Sequence, residues 1–302
     1  MATCLISLGA NIGHREQAIE QAISAINASS DVSACHCSSY FETIAAGGPQ
    51  NQPRFINAVA RFETNLKPID VLNKLFQVEN RLGRTRQQIW EPRVLDLDLL
   101  LYDHKIQNDP DLILPHPRMI LRRFVLEPAC EIAADLIHPQ TNWSLQQHLN
   151  HLNRSAKYIC IAGAATAQRI AAVAQFRSQL GSQQVAILHN SSGALALADQ
   201  LADQQAALKT AITKTTNIVI ADFCPREILL SSPEQLANVE QLEQAIGVPR
   251  LIVLLDNPND PTCHALLDAM LPNGTVVPWL VVPSNDEDQI ARELRAAVIA
   301  AV

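Results

Sequence analysis

The stretch Pro92-Arg93-Val94-Leu95-Asp96-Leu97-Asp98-Leu99-Leu100-Leu101-Tyr102 decides the fold of the first half of the chain. Its alternation predicts a β-strand, in which successive side chains point to opposite faces. One face is expected to be buried and to carry Leu95, Leu97, Leu99 and Leu101. Asp96 and Asp98 are expected on the other face, with carboxylates roughly 7 Å apart. Because unpaired carboxylates are costly to bury, this pair predicts bound cations.

Arginines precede the aspartate strand. Arg93 lies directly before it, and Gly83-Arg84-Thr85-Arg86 lies further upstream. Carboxylates for Mg²⁺ beside arginines for phosphate are the groups that phosphoryl transfer requires. The alternative is a strand with one solvated face and surface arginines, since a short Asp-x-Asp match often arises by chance.

Composition sets the broad class of protein. A chain of 302 residues with 48% hydrophobic content favours two domains with cores of their own. The net charge of −7 is shared by both halves, which argues against a nucleic-acid partner. Seven cysteines without a repeated metal-ligand spacing indicate reduced thiols in a cytoplasm. No basic signal-peptide start and no apolar run of ~18 residues is present, so a cytoplasmic protein without a membrane partner is expected.

Hydrophobic periodicity predicts the element order β-α-β-β-α-β in the first half. The strands are expected at Thr3–Leu8, Val32–Phe41, Phe55–Phe62 and the aspartate stretch, with a loop at Gly9–Gly13 and a helix from Pro68 to near Gly83. This order is that of the ferredoxin-like α+β domains. Such domains carry many functions, so the fold alone does not identify one.

The motifs of residues 3–150 resemble those of the 6-hydroxymethyl-7,8-dihydropterin pyrophosphokinases. The segments that carry the resemblance are Leu8-Gly9-Ala10-Asn11, Ser39-Tyr40-Phe41-Glu42-Thr43, Gly48-Pro49-Gln50-Asn51-Gln52-Pro53, Phe55-Ile56-Asn57-Ala58, Gly83-Arg84-Thr85-Arg86, Trp90, Pro92 to Asp98, Leu114-Pro115-His116-Pro117-Arg118 and Arg122-Arg123-Phe124. Each motif is weak alone, but their order and spacing together are specific.

The resemblance implies transfer of pyrophosphate from ATP to the pterin, with release of AMP, in folate biosynthesis. It implies that Asp96 and Asp98 bind two Mg²⁺ ions. Catalytic roles fall to Arg84, Arg93 and His116, and nucleotide binding to Glu79, Arg86, His116 and Arg122. The implied substrate-binding residues are Thr43, Phe55, Asn57, Trp90 and Phe124.

Each assignment has a structural alternative. Phe55 and Phe124 also suit a plain core, and His116 between prolines suits a capped loop. Two departures from the family pattern stand out, namely Ile89-Trp90-Glu91 and Ile44-Ala45-Ala46. Glu91 beside the phosphate channel leaves open a non-catalytic protein that binds pterin or nucleotide as a scaffold.

The second half, residues 154–302, predicts a three-layer α/β domain. Apolar strands are expected at Tyr158–Ala162, Val185–Leu188, Asn217–Ala221, Arg250–Leu255 and Val276–Val282, with helices between them. This alternation favours a parallel sheet that is covered on both faces. The run His138–Asn153 is expected to be a tail and linker that closes a first domain of residues 1–153.

The first strand of this half leads into Gly163-Ala164-Ala165-Thr166-Ala167-Gln168-Arg169-Ile170, a degenerate phosphate loop. A functional loop has the pattern G-x-x-x-x-G-K-[ST]. Here Gln168, Arg169 and Ile170 replace the second glycine, the lysine and the hydroxyl that binds Mg²⁺. Together with Ile218–Phe223 and Pro249–Asp256, the segment resembles deoxynucleoside kinases. The broken motif predicts an inactive domain with a stabilising or homo-oligomerising role, and nucleoside kinase activity is the alternative.

Overall fold

The computed structural model describes residues 1–44, 53–83, 94–163, 166–179, 186–189, 197–214, 218–230, 232–256, 269–271, 277–282 and 287–301. The chain divides into two compact units, Met1–Asn150 and His151–Val302. Within the described ranges, no helix is long and apolar enough to span a bilayer.

Unit 1 contains a mixed set of strands and helices in the predicted order. Its elements are β1 (Ala2–Ala10), α1 (Arg15–Asn27), β2 (Val32–Cys37), β3 (Phe41–Thr43), β4 (Phe55–Thr64), α2 (Pro68–Arg81), β5 (Asp96–Tyr102), β6 (Gln107–Asp109), β7 (Leu112–Leu114), a 3₁₀ turn (Met119–Leu121), α3 (Arg123–Ala133), β8 (Ile137–His138), β9 (Trp143–Ser144) and α4 (Leu145–Arg154). The main sheet has the order β2-β4-β1-β5, all antiparallel, and β3 also pairs with β4.

Two of the predicted boundaries in unit 1 are wrong. The single strand expected at Val32–Phe41 is divided into β2 and β3, because Ser38 leaves the ladder and binds Val59 through both its N–H and its hydroxyl. The loop expected from Gly9 begins later, because β1 continues to Ala10 with Gly9 paired between β4 and β5.

The two faces of the main sheet differ in chemistry. Alternate residues of β1, β4 and β5 join α1 and α2 in one hydrophobic core, whose strand members include Ile6, Leu8, Ala58, Ala60, Leu97 and Leu99. The intervening residues of the same strands include Gly9, Asn57, Asp96 and Asp98, which therefore share the opposite face. This face carries the polar groups of unit 1.

A β-bulge in β5 corrects the predicted leucine face. Leu99 lies opposite Ile6 and Leu101 lies opposite Leu5, so Leu100 is an extra residue without a partner on β1. Leu5 and Ile6 point to opposite faces, and Leu101 therefore does not share the face of Leu95, Leu97 and Leu99. Leu100 and Leu101 are nevertheless both buried.

The predicted tail and linker, His138–Asn153, contains the boundary between the two units and is folded. It forms the β8–β9 hairpin and the first turns of α4, and its histidines are buried. Thr141 Oγ1 lies 2.7 Å from His148 Nε2 and 3.3 Å from His138 Nδ1. Burial lowers the pKa of His138 to about 4. These contacts pack His138, Thr141 and His148 within unit 1, and α4 continues from there into unit 2.

Unit 2 is built on a parallel sheet. Its described elements are β10 (Ala156–Gly163), α5 (Thr166–Gln179), β11 (Ala186–Leu188), α6 (Leu197–Lys214), β12 (Val219–Ala221), 3₁₀ turns at Pro225–Leu230 and Pro233–Gln235, α7 (Leu236–Ile246), β13 (Pro249–Leu255), β14 (Trp279–Val282) and α8 (Glu287–Ala301). The sheet order is β11-β12-β10-β13-β14, and every pairing is parallel.

The predicted parallel α/β sheet of the second half is confirmed. Every residue from Tyr158 to Ala162 is fully buried, so β10 is covered on both faces. Leu208 of α6 packs in the core on one of these faces, and Ile246 of α7 packs against the same core. The carboxyl ends of β10, β12 and β13 meet at one edge of the sheet, which is where ligands bind in open α/β folds.

Candidate active site

A row of paired residues crosses three strands of unit 1 on its polar face. Gly9 of β1 lies opposite Asn57 of β4 on one side and opposite Asp96 of β5 on the other. In the next row on this face, Ser7 lies opposite Asp98. Two strand spacings of about 4.8 Å therefore separate the backbones of Asn57 and Asp96, with no side chain between them.

Gly9 matters because of what a side chain would contact. A Cβ atom there would lie 3.4 Å from Asn57 Oδ1 and 3.7 Å from Phe55 Cδ1. Glycine thus leaves a shallow floor between β4 and β5. This position corrects the predicted loop at Gly9, and a glycine inside an apolar strand pattern is a signal of such a close approach.

The structure brings three predicted substrate residues together beside Gly9. Phe55 pairs with Thr43 across β4 and β3, and Asn57 Nδ2 donates to Thr43 Oγ1 at 2.8 Å. Asn57 is buried, and a buried amide requires partners. Thr43 holds this amide in a fixed orientation. The polar atoms of Thr43 and Asn57 and the ring of Phe55 therefore lie together, and we call these three residues the Phe55 corner.

A second group of predicted residues surrounds Asp98. Arg122 Nη1 lies 3.5 Å and His116 Nε2 lies 4.0 Å from Asp98 Oδ2. The Arg122 guanidinium carbon lies 5.5 Å from the centre of the Phe124 ring. The segment from His116 to the first turn of α3 thus carries a cation, an imidazole and an aromatic ring to the aspartate strand.

The bulge in β5 helps to place His116. His116 N donates to Leu100 O at 2.9 Å, which anchors the segment to the residue that has no partner on β1. His116 Nδ1 accepts a hydrogen bond from Arg118 N at 3.2 Å. Burial, together with the nearby Arg122 and Arg118, holds the pKa of His116 well below its ordinary value. The ring is therefore neutral near pH 7, with its proton on Nε2, the nitrogen that faces Asp98.

Glu79 has a different position from the one expected of a nucleotide ligand. Its side chain comes from α2, is 1% exposed, and accepts the Leu97 N–H at Oε1 with a distance of 2.7 Å. Leu97 lies between Asp96 and Asp98, so Glu79 fixes the peptide that carries both aspartates. Glu79 thus holds β5, and its predicted role in nucleotide binding stays a prediction. The predicted residues Arg84, Arg86, Trp90 and Arg93 lie outside the described residues.

Comparison with known proteins identifies the family of unit 1. A model of the 7,8-dihydro-6-hydroxymethylpterin-pyrophosphokinase family matches residues 5–134. A 2-amino-4-hydroxy-6-hydroxymethyldihydropteridine pyrophosphokinase of Haemophilus influenzae is 40% identical over 141 residues, which are 47% of this chain and 88% of that protein. The chain belongs to this pyrophosphokinase family. The predicted family and enzyme class are confirmed.

Other relatives agree with this pyrophosphokinase assignment. The Bacillus subtilis enzyme of the same name is 39% identical over 142 residues, which are 47% of this chain and 84% of that protein. The alignment with a solved HPPK-DHPS structure covers all of this chain and 84% of the chain in that structure. Its TM-score is 0.39 and the sequence identity is 10%. These two values are too low to relate the folds. The family match ends at residue 134, so the kinase-like origin of unit 2 stays a prediction.

The donors of the pyrophosphokinase unit suit Mg²⁺. Asp96 and Asp98 supply hard oxygen ligands, and the described ranges contain no cluster of three or more acidic, histidine or cysteine side chains. Mg²⁺ usually takes one or two carboxylates and completes its shell with water and substrate phosphates. A pair of aspartates beside a cation and an imidazole fits this pattern, and does not fit a structural zinc site, which needs four protein ligands.

Proposed function

We propose that unit 1 transfers pyrophosphate from ATP to the hydroxymethyl group of 6-hydroxymethyl-7,8-dihydropterin and releases AMP. The row formed by Asn57, Gly9 and Asp96 is the observation that carries this proposal. It sets a polar and aromatic corner about two strand spacings from a pair of carboxylates. This separation suits a flat bicyclic substrate whose hydroxymethyl group points toward a metal-bound triphosphate.

The pterin is held at the Phe55 corner. Asn57 and Thr43 present amide and hydroxyl groups to the polar edge of the ring, and the face of Phe55 packs against its plane. Phe124 covers the other face of the pterin when substrate is bound. Its position beside Arg122 keeps it close to the phosphate end of the site.

The phosphate end of the site is organised by Asp98. When bound, two Mg²⁺ ions held by Asp96 and Asp98 would neutralise the triphosphate and polarise the bond that breaks. Arg122 donates to phosphate oxygens with its planar guanidinium, and the neutral His116 donates from Nε2. The pterin hydroxyl oxygen forms the new bond to the β-phosphorus as its proton passes to water, and the bond from that phosphorus to the oxygen of AMP breaks. Arg84, Arg86, Arg93 and Trp90 complete the phosphate and nucleotide contacts in this proposal.

We also infer the finer classes of the two units. Unit 1, taken as residues 1–153, is a ferredoxin-like domain, which the antiparallel order β2-β4-β1-β5 supports. Unit 2, residues 154–302, is a phosphate-loop kinase fold without turnover. Its central strand β10 leads through Gly163 into α5, and the exposed Ile170 stands where a metal-binding hydroxyl is needed. Its role is to stabilise or oligomerise a cytoplasmic enzyme.

Pterin-dependent formation of AMP tests the proposed reaction. Wild type should form AMP from ATP only when hydroxymethyl-dihydropterin is present. Asp98→Asn should lower this rate at least about a thousandfold, because a ligand for both ions is lost. Asp111→Asn removes a carboxylate from an exposed position in the same unit and serves as the matched control. Equal rates for the two variants, or AMP formation without pterin, would contradict the proposal.

A further inference from the structure

In unit 2 a carboxylate lies at the junction between the central strand and the following helix. Glu227 Oε1 accepts the Gly163 N–H at 2.9 Å, and Glu227 Oε2 contacts Arg169 Nη1 at 2.5 Å. Gly163 ends β10, and Arg169 lies in the first turns of α5. Both oxygens of one carboxylate are therefore bound by groups at this strand-to-helix junction.

These two donors are the kind that bind phosphate. A backbone N–H at the end of a β-strand, next to a helix N-terminus and a fixed cation, forms a site for anions. Arg169 is also held from behind, since its Nη1 lies 3.5 Å from Ile161 O, and its side chain is 10% exposed. The guanidinium therefore points into the junction rather than into solvent.

Glu227 reaches this junction from a distant part of the chain. It belongs to the 3₁₀ turn Pro225–Leu230, which follows β12, the neighbour of β10 in the sheet. The adjacent Arg226 is fully buried and binds Glu243 through two nitrogens, at 2.7 Å from Nε and 2.5 Å from Nη2, and it also donates to Met270 O at 3.1 Å. This buried anchor fixes the turn, so Glu227 is held over the end of β10.

We propose that Glu227 is an internal anion that fills a site for phosphate or pyrophosphate in unit 2. The choice of phosphate rests on the proposed likeness of this unit to phosphate-loop kinases, whereas the contacts of Glu227 stand without it. Because the carboxylate meets both donors, a free anion cannot reach them without displacing a side chain of opposite charge to Arg169. Closure by Glu227 therefore accounts for loss of ligand binding more directly than the changed loop residues do.

Gly163 has its own reason to be retained. Its φ is +71°, and a Cβ atom would lie 2.6 Å from Leu255 O and 2.8 Å from Leu254 Cδ1. Packing against β13 thus requires glycine whether or not an anion binds. The presence of Gly163 is therefore not a sign of phosphate binding. The test must instead follow the two donors, the Gly163 N–H and the Arg169 guanidinium.

Binding of inorganic pyrophosphate without magnesium tests the proposal. All variants are made in the full chain that carries Asp98→Asn, with a chelator present, so that the metal-dependent site of unit 1 is silent. Glu227→Ala should bind pyrophosphate about tenfold to a hundredfold more tightly than the parent in calorimetry, since two donors are released. The amide resonance of Gly163 should shift during the same titration, and adding Arg169→Ala should abolish the gain.

Glu234→Ala is the matched control, because it removes an exposed carboxylate from the next 3₁₀ turn. Glu227→Gln removes the charge with little change of shape and carries the test if Glu227→Ala does not fold. Equal affinity of the parent and the Glu227 variants would overturn the proposal, and so would a gain that survives Arg169→Ala. Neither result depends on AMP formation, so failure here is separate from failure of the proposed pyrophosphokinase reaction.

Discussion

Each unit contains an arginine–carboxylate pair at its candidate site. The two pairs differ in distance, in exposure and in the other partners of the carboxylate. In unit 1, Arg122 lies 3.5 Å from Asp98, and the carboxylate is 34% exposed. In unit 2, Arg169 lies 2.5 Å from Glu227, whose second oxygen accepts the Gly163 N–H. The first pair is long and partly solvated, whereas the second is short and saturated.

This difference determines how readily each carboxylate can give up its arginine. A partly exposed aspartate can exchange its arginine for a metal ion at small cost, because exposed ion pairs contribute little free energy. In the proposed reaction, Arg122 then binds phosphate oxygens. A carboxylate that binds a backbone N–H and a buried guanidinium together has no equivalent exchange, because its removal would leave both donors desolvated.

Replacing each arginine should give the largest difference in effect between the two pairs. Arg122→Ala should lower the rate of AMP formation about a hundredfold to a thousandfold, the cost of one preorganised donor, and should leave unit 1 stable. Arg169→Ala should leave that rate unchanged and destabilise unit 2 by about 1–3 kcal/mol. Steady-state kinetics and hydrogen exchange of peptides from each unit measure both effects. A loss of turnover in Arg169→Ala would break the comparison.

The glycines at the two sites should respond differently to a methyl group. Gly163→Ala should destabilise unit 2 by about 3 kcal/mol, because a left-handed backbone and a close approach to Leu255 O are both penalised. Urea unfolding followed by exchange in β10 and β13 measures this loss. Since the affected strands belong to unit 2, AMP formation under native conditions should persist. An unchanged midpoint would show that β13 can move away.

The stability of unit 1 should depend on pH through His138. Its pKa is lowered to about 4 by burial, so the native ring stays neutral while the unfolded chain takes up a proton below about pH 6.5. The free energy of unfolding therefore falls as pH falls, by about 2 kcal/mol from pH 6.5 to 5, because 1.5 units × 1.36 is about 2 kcal/mol. Urea titrations at both pH values measure it: His138→Gln should lose this share of the dependence, His116, whose pKa is also lowered, should still contribute its own share, and the exposed His104→Gln should keep the full dependence.

Gly9→Ala should give the smallest effect and a selective one. The new methyl group would lie 3.4 Å from Asn57 Oδ1, which the sheet tolerates with less than about 1 kcal/mol of lost stability. The methyl group would protrude from the sheet beneath the proposed pterin. KM for the pterin should therefore rise about tenfold while KM for ATP stays constant. Equal changes in both constants would place the substrate elsewhere.

The sequence predicted the strands well where their patterns were local. The helix predicted from Pro68 begins there, with that proline at its first position. The division of β2 from β3 and the bulge at Leu100 were not predictable, because both follow from pairing with other strands. The burial of His138 and His148 was missed for the same reason, since residues 138–153 are polar when considered alone.

The candidate site was predictable in its residues and not in its contacts. The motif order identified Asp98, His116 and Arg122, and the structure brings these three together. The contact of Glu79 with β5 needed the fold, because only the packing of α2 beside β5 shows that its carboxylate meets the Leu97 N–H. No spacing rule connects residues 18 positions apart on different elements.

The sequence by itself determined the family, the alternation of the strands and the aspartate pair, because each is a local pattern or an ordered set of motifs. Only the tertiary structure decided which carboxylate each arginine meets. Asp98 meets Arg122, and Glu227 meets Arg169 across 58 positions of chain, through strand pairing and turns. The availability of a charged side chain depends on the partners that the fold brings to it. Strand register and packing set those partners, and the neighbours of the residue in sequence do not.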